Sequence, residues 1–209
     1  MATVAIPVLA IEFSTSDIAP PSSDTVLIFT ARNGVRAFAS KHQNRHYDVV
    51  CVGDATAALA RVSGFDNVIS VGGDSQNVID WIKQNTPSSR PVRHCAGRHV
   101  RGQITETLQA AGYEAERVEY YASHPVENVA VDCQDIDYVA VYSPLGATTI
   151  ANLWAGKDTG HLRFLCISEA VHDALGDLAK HSSLIAQRPN QRDMLNRLKL
   201  DLAERTGQI

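Results

Sequence analysis

The chain has 209 residues, of which 44% are hydrophobic and 20% are charged, and its formal net charge is −4. This composition is ordinary for a globular protein with a buried core, and the length fits one large domain or two smaller ones. The acidic balance argues against nonspecific nucleic-acid binding, which needs a basic face. It leaves anionic small substrates open, because helix N-termini can bind carboxylates.

The cysteines and the N-terminus indicate a cytoplasmic protein. The four cysteines are Cys51, Cys95, Cys133 and Cys166. None forms a CxxC pair and three lie in apolar, strand-like runs, so we expect buried free thiols in a reducing compartment. The N-terminal stretch lacks the basic segment and the long apolar segment of a signal peptide. No apolar run reaches the roughly 18 residues that a membrane span needs.

Strands and helices alternate in the first half of the chain. The predicted strands are 25–30, 48–53, 67–72 and 92–97, and the predicted helices are 33–42, 54–64, 74–85 and 100–112. Asp54 is the expected N-cap of the second helix and Gly64 its end. The short loops predict a parallel sheet with helices on both faces, doubly wound through right-handed crossovers.

Two extended runs flank that block, the apolar 3–13 and the strand-like 116–125, and each contains a proline. If they pair antiparallel, they form a two-stranded connector beside the block. The alternation then resumes. Its predicted strands are 137–143, 163–168 and 182–187, and its predicted helices are 146–155, 169–180 and 190–205.

The two α/β blocks are weak repeats of each other. VLIFTARNGVRAF aligns with VAVYSPLGATTIANL, and VVCVGDATAALARVSG aligns with FLCISEAVHDALGDL. In each pair a strand ends in a short turn and a helix follows at once. Open α/β sheets bind ligands outside the carboxyl ends of their strands, so the repeated turns predict binding there.

Six segments in order along the chain carry a family resemblance. They are IPVLAIE (6–12), IFTARNGVRAF (28–38), VGDATAALARVSGF (52–65), GGDSQNVIDWI (72–82), AGRHVRGQITETLQAAGYEAERVEYYASHP (96–125) and YSPLGA (142–147). They resemble the uroporphyrinogen-III synthase family, the cyclising enzymes of tetrapyrrole synthesis. Each motif alone is weak, but the order and spacing over nearly the whole chain make the resemblance specific.

The resemblance implies two flavodoxin-like, doubly wound α/β domains joined by a two-stranded β ladder, with the active site in the cleft. It implies a linker strand left from the first domain at 1–12, an inserted α/β domain at 13–115, a return linker strand at 116–124 and the second α/β domain at 125–209. The family begins with a strand and a helix ahead of the PVLAIE linker. Because Met1 lies six residues ahead of Pro7, we expect that unit to be missing here.

The implied activity is cyclisation of hydroxymethylbilane to uroporphyrinogen III, a lyase reaction of heme biosynthesis. Water is lost and ring D is inverted through a spiro intermediate. The resemblance further implies a cytoplasmic monomer that acts on this small molecule without cofactor, metal, nucleic acid or membrane. Two alternatives stay open: a degenerate, non-catalytic two-lobed binding protein of the same fold, and an unrelated two-lobed small-molecule sensor.

Tyr121 is the candidate catalytic residue. It matches the tyrosine of the family's Tyr–x–Thr linker, with Ser123 in the threonine position. The functional interpretation is a hydroxyl that hydrogen-bonds the leaving hydroxyl, and the structural alternative is a linker tyrosine that packs by its ring. Because strand side chains alternate, Tyr120 is expected to face the other way.

The candidate substrate-binding residues lie at strand-end turns, where N–H, hydroxyl and guanidinium groups suit carboxylates. They are Thr30, Asn33, Thr56, Gly73, Gly97, Arg101, Ser143, Gly146 and Ser168. The structural alternative is a capping hydroxyl for Thr56 and a surface arginine for Arg101. It is simple turn chemistry for Asn33, Gly73, Gly97, Ser143 and Gly146.

The sequence departs from the family at two turns. Ala31 replaces a common serine, and residues 168–171 replace a Gly–x–Thr–Thr-like turn, which removes hydroxyls and adds an acid where anionic substrate is expected. The histidines lack metal-ligand spacing, so a metal site is not expected.

Overall fold

The computed structural model describes residues 3–100, 102–127, 129, 131–179 and 183–207. The chain divides into two compact units. We call Ile11–His124 the inserted unit, and Met1–Ala10 together with Pro125–Ile209 the flanking unit.

The inserted unit is built on a largely parallel sheet. The strands of this sheet are β1 (Leu9–Phe13), β2 (Val26–Phe29), β3 (Asp48–Cys51), β4 (Asn67–Ser70), β5 (Val92–Gly97) and β6 (Ala115–Pro125). The outer ends of β1 and β6, at Leu9, Ala10 and Pro125, are counted with the flanking unit. The strands lie in the order β1-β6-β5-β2-β3-β4, and β2 to β6 are mutually parallel. β1 runs against β6, because Ser14 N–H donates to the Tyr120 carbonyl while Val126 N–H donates to the Val8 carbonyl.

The strand order creates a switch point between β2 and β5. Counted from β2 in chain order, the five parallel strands lie as 3-2-1-4-5. This doubly wound order differs from flavodoxin's own 2-1-3-4-5 but obeys the same rule, since the chain reverses direction across the sheet and leaves a crevice at the carboxyl ends. Thr30, directly after β2, stands at that crevice.

Helices cover both faces of this sheet, as the alternation predicts. They are α1 (Arg32–Lys41), α2 (Asp54–Val62), α3 (Ser75–Asn85) and α4 (Ile104–Ala110). Alternate residues of β2 enter two different clusters: Phe29 packs with Phe38 of α1, and Ile28 packs with Ile82 and Leu108. Burying apolar side chains on both faces is the main stabilising contribution to such a layer.

One predicted N-cap and one predicted helix start are wrong. The N-cap of α2 is Gly53 and not Asp54, because the Asp54 carboxylate accepts a hydrogen bond from Ser70 Oγ at 2.7 Å instead. The fourth helix begins at Ile104 and not at 100. Gly102 has φ +79°, a left-handed conformation that a continuous α-helix does not admit.

The flanking unit is a smaller three-layered block. Its strands are β7 (Tyr138–Val141), β8 (Arg163–Cys166) and β9 (Ser183–Ile185), which are parallel and lie in that order. Its helices are α5 (Pro144–Leu153), α6 (Glu169–Leu175) and α7 (Gln191–Thr206). Phe164 of β8 packs with Trp154 on one side, and Leu165 packs with Met194 and Leu198 of α7 on the other.

Other expectations are met in part. The helix predicted over 169–180 ends at Leu175, because Gly176 turns at φ +58° and a 3₁₀ turn continues to Ala179; residue 180 lies outside the described residues.

All four cysteines are buried free thiols, as predicted. Within the described parts of the chain, no helix has the length and apolar character needed to cross a membrane.

Candidate functional site

Tyr121 lies on β6, opposite the last residue of β5, and β5 borders the switch point. Strands β5 and β6 pair in register up to Ala96 and Glu119, and then the register shifts so that Gly97 pairs with Tyr121. A side-chain carbon built on Gly97 would come within 2.7 Å of Cζ of the Tyr121 ring. The tyrosine ring therefore lies directly against the bare backbone of Gly97, and only glycine leaves it that room.

The register shift changes what the two neighbouring tyrosines do. Tyr120 is fully buried, and its hydroxyl lies 3.0 Å from His42 Nε2. Tyr121 is partly buried at the margin of the same Phe29–Phe38 cluster. The expected opposite facing is interrupted, because a bulge breaks the strict alternation of a strand.

Backbone contacts hold the Tyr121 segment in place. Arg98 N–H donates to the Tyr121 carbonyl at 2.8 Å. Arg117 Nη2 donates to the carbonyls of Gly97 at 2.7 Å and Arg98 at 2.6 Å. Charge-assisted bonds of this kind are stronger than neutral ones. Gly97 at the end of β5 and the ring of Tyr121 from β6, which lies against it, therefore form a fixed platform.

A buried histidine bridges the switch point itself. His94 of β5 is 3% exposed, and its Nε2 lies 3.1 Å from Thr30 Oγ1 at the end of β2. Burial, with a smaller contribution from the Arg117 charge, lowers the pKa of His94 to about 4. The imidazole is therefore neutral at physiological pH, and Thr30 is half-buried above it.

The helix starts next to this platform have no side-chain caps. Ala31 caps α1 and Gly53 caps α2, and neither makes a side-chain hydrogen bond to the helix. Helix N-termini leave N–H groups without intrahelical partners, and these groups attract anions. The side chain of Asn33 in the first turn of α1 bonds along its own helix, where its Oδ1 accepts from Arg36 Nη1 at 3.2 Å. Thr56, in the first turn of α2, is 6% exposed.

Gly73 has a structural role in this arrangement. A side-chain carbon there would lie 1.9 Å from Asn77 Oδ1, and that oxygen accepts from Asp74 N–H at 2.9 Å in a capping box at the start of α3. The Gly73 N–H itself donates to the Val52 carbonyl. A substrate contact through that N–H would therefore have to compete with an existing bond.

The predicted residues of the flanking unit also occupy strand-end turns. Ser143 Oγ accepts from Gly146 N–H at 3.1 Å and caps α5. Ser168 precedes α6 without capping it, and its buried Oγ has no hydrogen-bond partner among the described residues. Arg101 lies outside the described residues.

No cluster of three or more metal-binding side chains occurs among the residues that the structure describes. A depression in the flanking unit, lined by 131–134 and 157–158, contains none of the predicted site residues. It has no bearing on the platform described above.

Sequence reasoning missed two features of the site. Spacing alone places His94 among scattered histidines, although a histidine in a strand that the alternation predicts to be central and buried is itself a signal. Arg117 gives no signal, because its partners are backbone carbonyls that lie about twenty residues away and are visible only in the folded sheet.

Comparisons with known proteins agree on one family. A family model described as uroporphyrinogen-III synthase HemD matches residues 1–196. The structure of uroporphyrinogen-III synthetase from Helicobacter pylori 26695 superimposes with a TM-score of 0.69 at 13% identity, covering 93% of this chain and 91% of that one. A mutant uroporphyrinogen III synthase from the extremely thermophilic bacterium Thermus thermophilus gives a TM-score of 0.54 at 15% identity, covering 96% and 89%. These identities support the fold alone, and no curated protein matches the sequence.

Proposed function

We propose that this chain, which belongs to the uroporphyrinogen-III synthase family, closes hydroxymethylbilane to uroporphyrinogen III at the strand ends of the inserted unit. Family membership makes it a lyase of heme biosynthesis that acts on a small tetrapyrrole. The location of the chemistry and the role of each residue are our proposal.

One observation carries the assignment of the site. The ring of Tyr121 lies on Gly97 at the carboxyl end of β5, beside the switch point. Its main chain is bound to Arg98 N–H. The ring also packs against the Phe29–Phe38 cluster, and we infer a substrate contact as well because this kind of sheet binds ligands at these strand ends.

Tyr121 is suited to help the hydroxyl of the substrate depart. A proton donor next to a leaving oxygen lets it depart as water, and such catalysis typically contributes about 10²- to 10⁴-fold. The Tyr121 phenol carries its proton at neutral pH, as an unperturbed tyrosine does, and burial raises its pKa further. The C–O bond breaks as the phenol gives up its proton, the ring closes through the spiro intermediate, and a proton released from the substrate returns to Tyr121. Water is the net loss.

The neighbouring helix starts are suited to hold the substrate carboxylates. The first turns of α1 and α2 have caps without side-chain hydrogen bonds, and Arg36 stands beside Asn33 on the surface of α1. We therefore propose that Thr30, Asn33 and Thr56 contact substrate near these turns. Holding a flexible chain in a folded shape removes much of the entropic barrier to cyclisation.

We also propose contacts from Gly73, Gly97 and Arg101 in the inserted unit and from Ser143, Gly146 and Ser168 in the flanking unit. The Ser143 hydroxyl already accepts a hydrogen bond but keeps its own proton for a ligand. We propose that the enzyme works as a cytoplasmic monomer without cofactor or metal. The four buried free thiols fit a reducing compartment.

A product assay tests this function. Hydroxymethylbilane is supplied, and the type III isomer is separated from the type I isomer that forms spontaneously. We expect the purified chain to shift the product to type III, and to do so equally well after chelation. An isomer ratio equal to that without protein would instead favour a degenerate binding protein of the same fold.

A further inference from the structure

The switch point contains a pair of hydrogen-bonded side chains, and the mechanism above uses only one of them, Thr30. Thr30 Oγ1 and His94 Nε2 lie 3.1 Å apart, although their residues are 64 positions apart in the chain. The bond joins the two strands between which the strand order reverses. Thr30 lies half-buried at the rim, with His94 beneath it.

The geometry gives the histidine a definite chemical role toward the threonine. A hydroxyl has one proton to donate and two lone pairs. If the imidazole donates from Nε2, the hydroxyl accepts that bond and its own proton stays available to another acceptor. A carboxylate only accepts when ionised, so a carboxylate in front of Thr30 favours the histidine tautomer with its proton on Nε2.

We propose that His94 is a positioning residue for substrate binding: through its bond to Thr30 Oγ1 it turns the proton of the Thr30 hydroxyl toward a carboxylate of the substrate. This inference rests on the proposed function, because it takes the anionic tetrapyrrole as the ligand. A neutral imidazole suits this role, since it exists in either tautomer and adapts to the group in front of the threonine. Burial keeps His94 neutral, with its pKa lowered to about 4.

The inserted unit offers a matched control for a purely structural histidine. His42 Nε2 lies 3.0 Å from the hydroxyl of Tyr120, a contact of the same kind and length. His42 and Tyr120 are both buried, and Tyr120 belongs to the Phe29–Phe38 cluster. Loss of this bond should lower stability, but it should leave the orientation of the Thr30 hydroxyl unchanged, because that hydroxyl is bonded to His94.

The test is a double-mutant cycle on the intact chain. The steady-state constants for type III formation are measured for wild type, Thr30→Val, His94→Leu and the double variant, with His42→Leu as control. We expect each single change at the pair to raise KM about 10-fold, as for loss of one bond to a charged group, with kcat within about threefold. The KM of the double variant should be no higher than that of either single variant, because the two side chains act as one unit. His42→Leu should lower the melting temperature and leave KM within about twofold.

His94→Gln keeps the experiment decisive if His94→Leu does not fold. The glutamine side chain carries an amide near the position of Nε2, so we expect KM to return to within about threefold of wild type. A double variant whose KM is the product of the two single effects overturns the inference, and so does a His94→Gln variant that keeps a 10-fold raised KM. Absence of type III formation by the wild-type chain would instead contradict the proposed function itself.

Discussion

The turns after β2 and β7 have the same backbone and different side chains. The cap of α1, Ala31, has φ −149° and ψ 151°, and the cap of α5, Ser143, has φ −150° and ψ 150°. Three residues after each cap stands a glycine, Gly34 or Gly146. Only Ser143 bonds its own helix, with its hydroxyl 3.1 Å from Gly146 N–H.

The second pair of turns repeats the pattern. Gly53 before α2 has φ −156° and ψ 165°, and Ser168 before α6 has φ −161° and ψ 163°. Thr56 in the inserted unit stands at the position that Val171 fills in the flanking unit, and both are buried. The strand-to-helix geometry is thus kept between the repeats while the polar groups differ, and the chemistry we propose lies mainly on the inserted unit.

The largest difference between the repeats should appear at the two glycines. A side-chain carbon on Gly34 would lie 2.7 Å from the backbone carbonyl oxygen of Cys95, which cannot move aside easily, whereas the closest atom to one on Gly146 would be the side-chain Oγ of Ser143 at 3.1 Å. We expect Gly34→Ala to lower the free energy of unfolding by about 3 kcal/mol and Gly146→Ala by less than about 1 kcal/mol. Denaturant unfolding of both variants measures this, and equal losses would show that the close approach of α1 to β5 is unimportant.

The contact between Gly97 and the ring of Tyr121 should give the next largest effect when it is changed. Gly97→Ala places a methyl group against the tyrosine ring, whose Cζ lies 2.7 Å from the new carbon. The ring must shift, and a displacement of about 1 Å can cost on the order of 100-fold in rate. We expect kcat to fall about 10- to 100-fold while the melting temperature changes by only a few degrees. A variant with wild-type kcat would show that catalysis does not depend on the position of the Tyr121 ring.

His94 should make the inserted unit sensitive to acid. Its pKa is about 4 when folded, below the ordinary value of 6.5, because of burial and then the Arg117 charge, while Glu106 opposes the shift. The unfolded chain therefore binds more protons between these two pH values, and stability falls as the pH drops through this window. From pH 7.5 to pH 5 we expect a loss of about 2 kcal/mol from this group, since each pH unit between the two pKa values costs about 1.4 kcal/mol. In His94→Gln the loss of unfolding free energy between pH 7.5 and pH 5 should be smaller by that amount. An unchanged loss would contradict the assignment of this acid sensitivity to His94.

The smallest effect should come from exchanging the caps. Ser143→Ala removes the bond to Gly146 N–H and should cost about 1 kcal/mol, while Ala31→Ser offers α1 the missing cap and should stabilise it by up to about the same amount. The same serine would occupy N–H groups that we propose for substrate, so KM should rise in Ala31→Ser. Unfolding curves and KM together check this, and a stabilised variant with unchanged KM would place the substrate elsewhere.

Local patterns predicted the elements well because periodicity and turns are local properties. The alternation of strands and helices along the chain follows from it, and the family assignment came through motif order. The antiparallel pairing of β1 with β6 was a conditional expectation, and their backbone hydrogen bonds confirm it. Errors arose where a distant side chain or an unusual backbone decided the outcome. Asp54 turns to Ser70 and so does not cap its helix, and Gly102 delays the start of α4.

The candidate site was predictable as a set of turns but not as an arrangement. The bulge that re-aims Tyr121 depends on how β6 registers against β5, and the partner of Thr30 is 64 residues away. Neither fact has a local signature in the sequence. Arg101 lies outside the described residues and stays a prediction.

Two adjacent tyrosines allow the most direct test of the central claim, that the phenol of Tyr121 takes part in the chemistry. Tyr121→Phe and Tyr120→Phe each remove one hydroxyl, and they differ in that the Tyr120 hydroxyl is bound to His42 in the core. Single-turnover measurement of type III formation should show Tyr121→Phe slower by on the order of 100-fold, with substrate binding changed less than the rate. Tyr120→Phe should lose stability and stay within about twofold of the wild-type rate. A Tyr121→Phe chain that forms type III product at the wild-type rate would contradict the account.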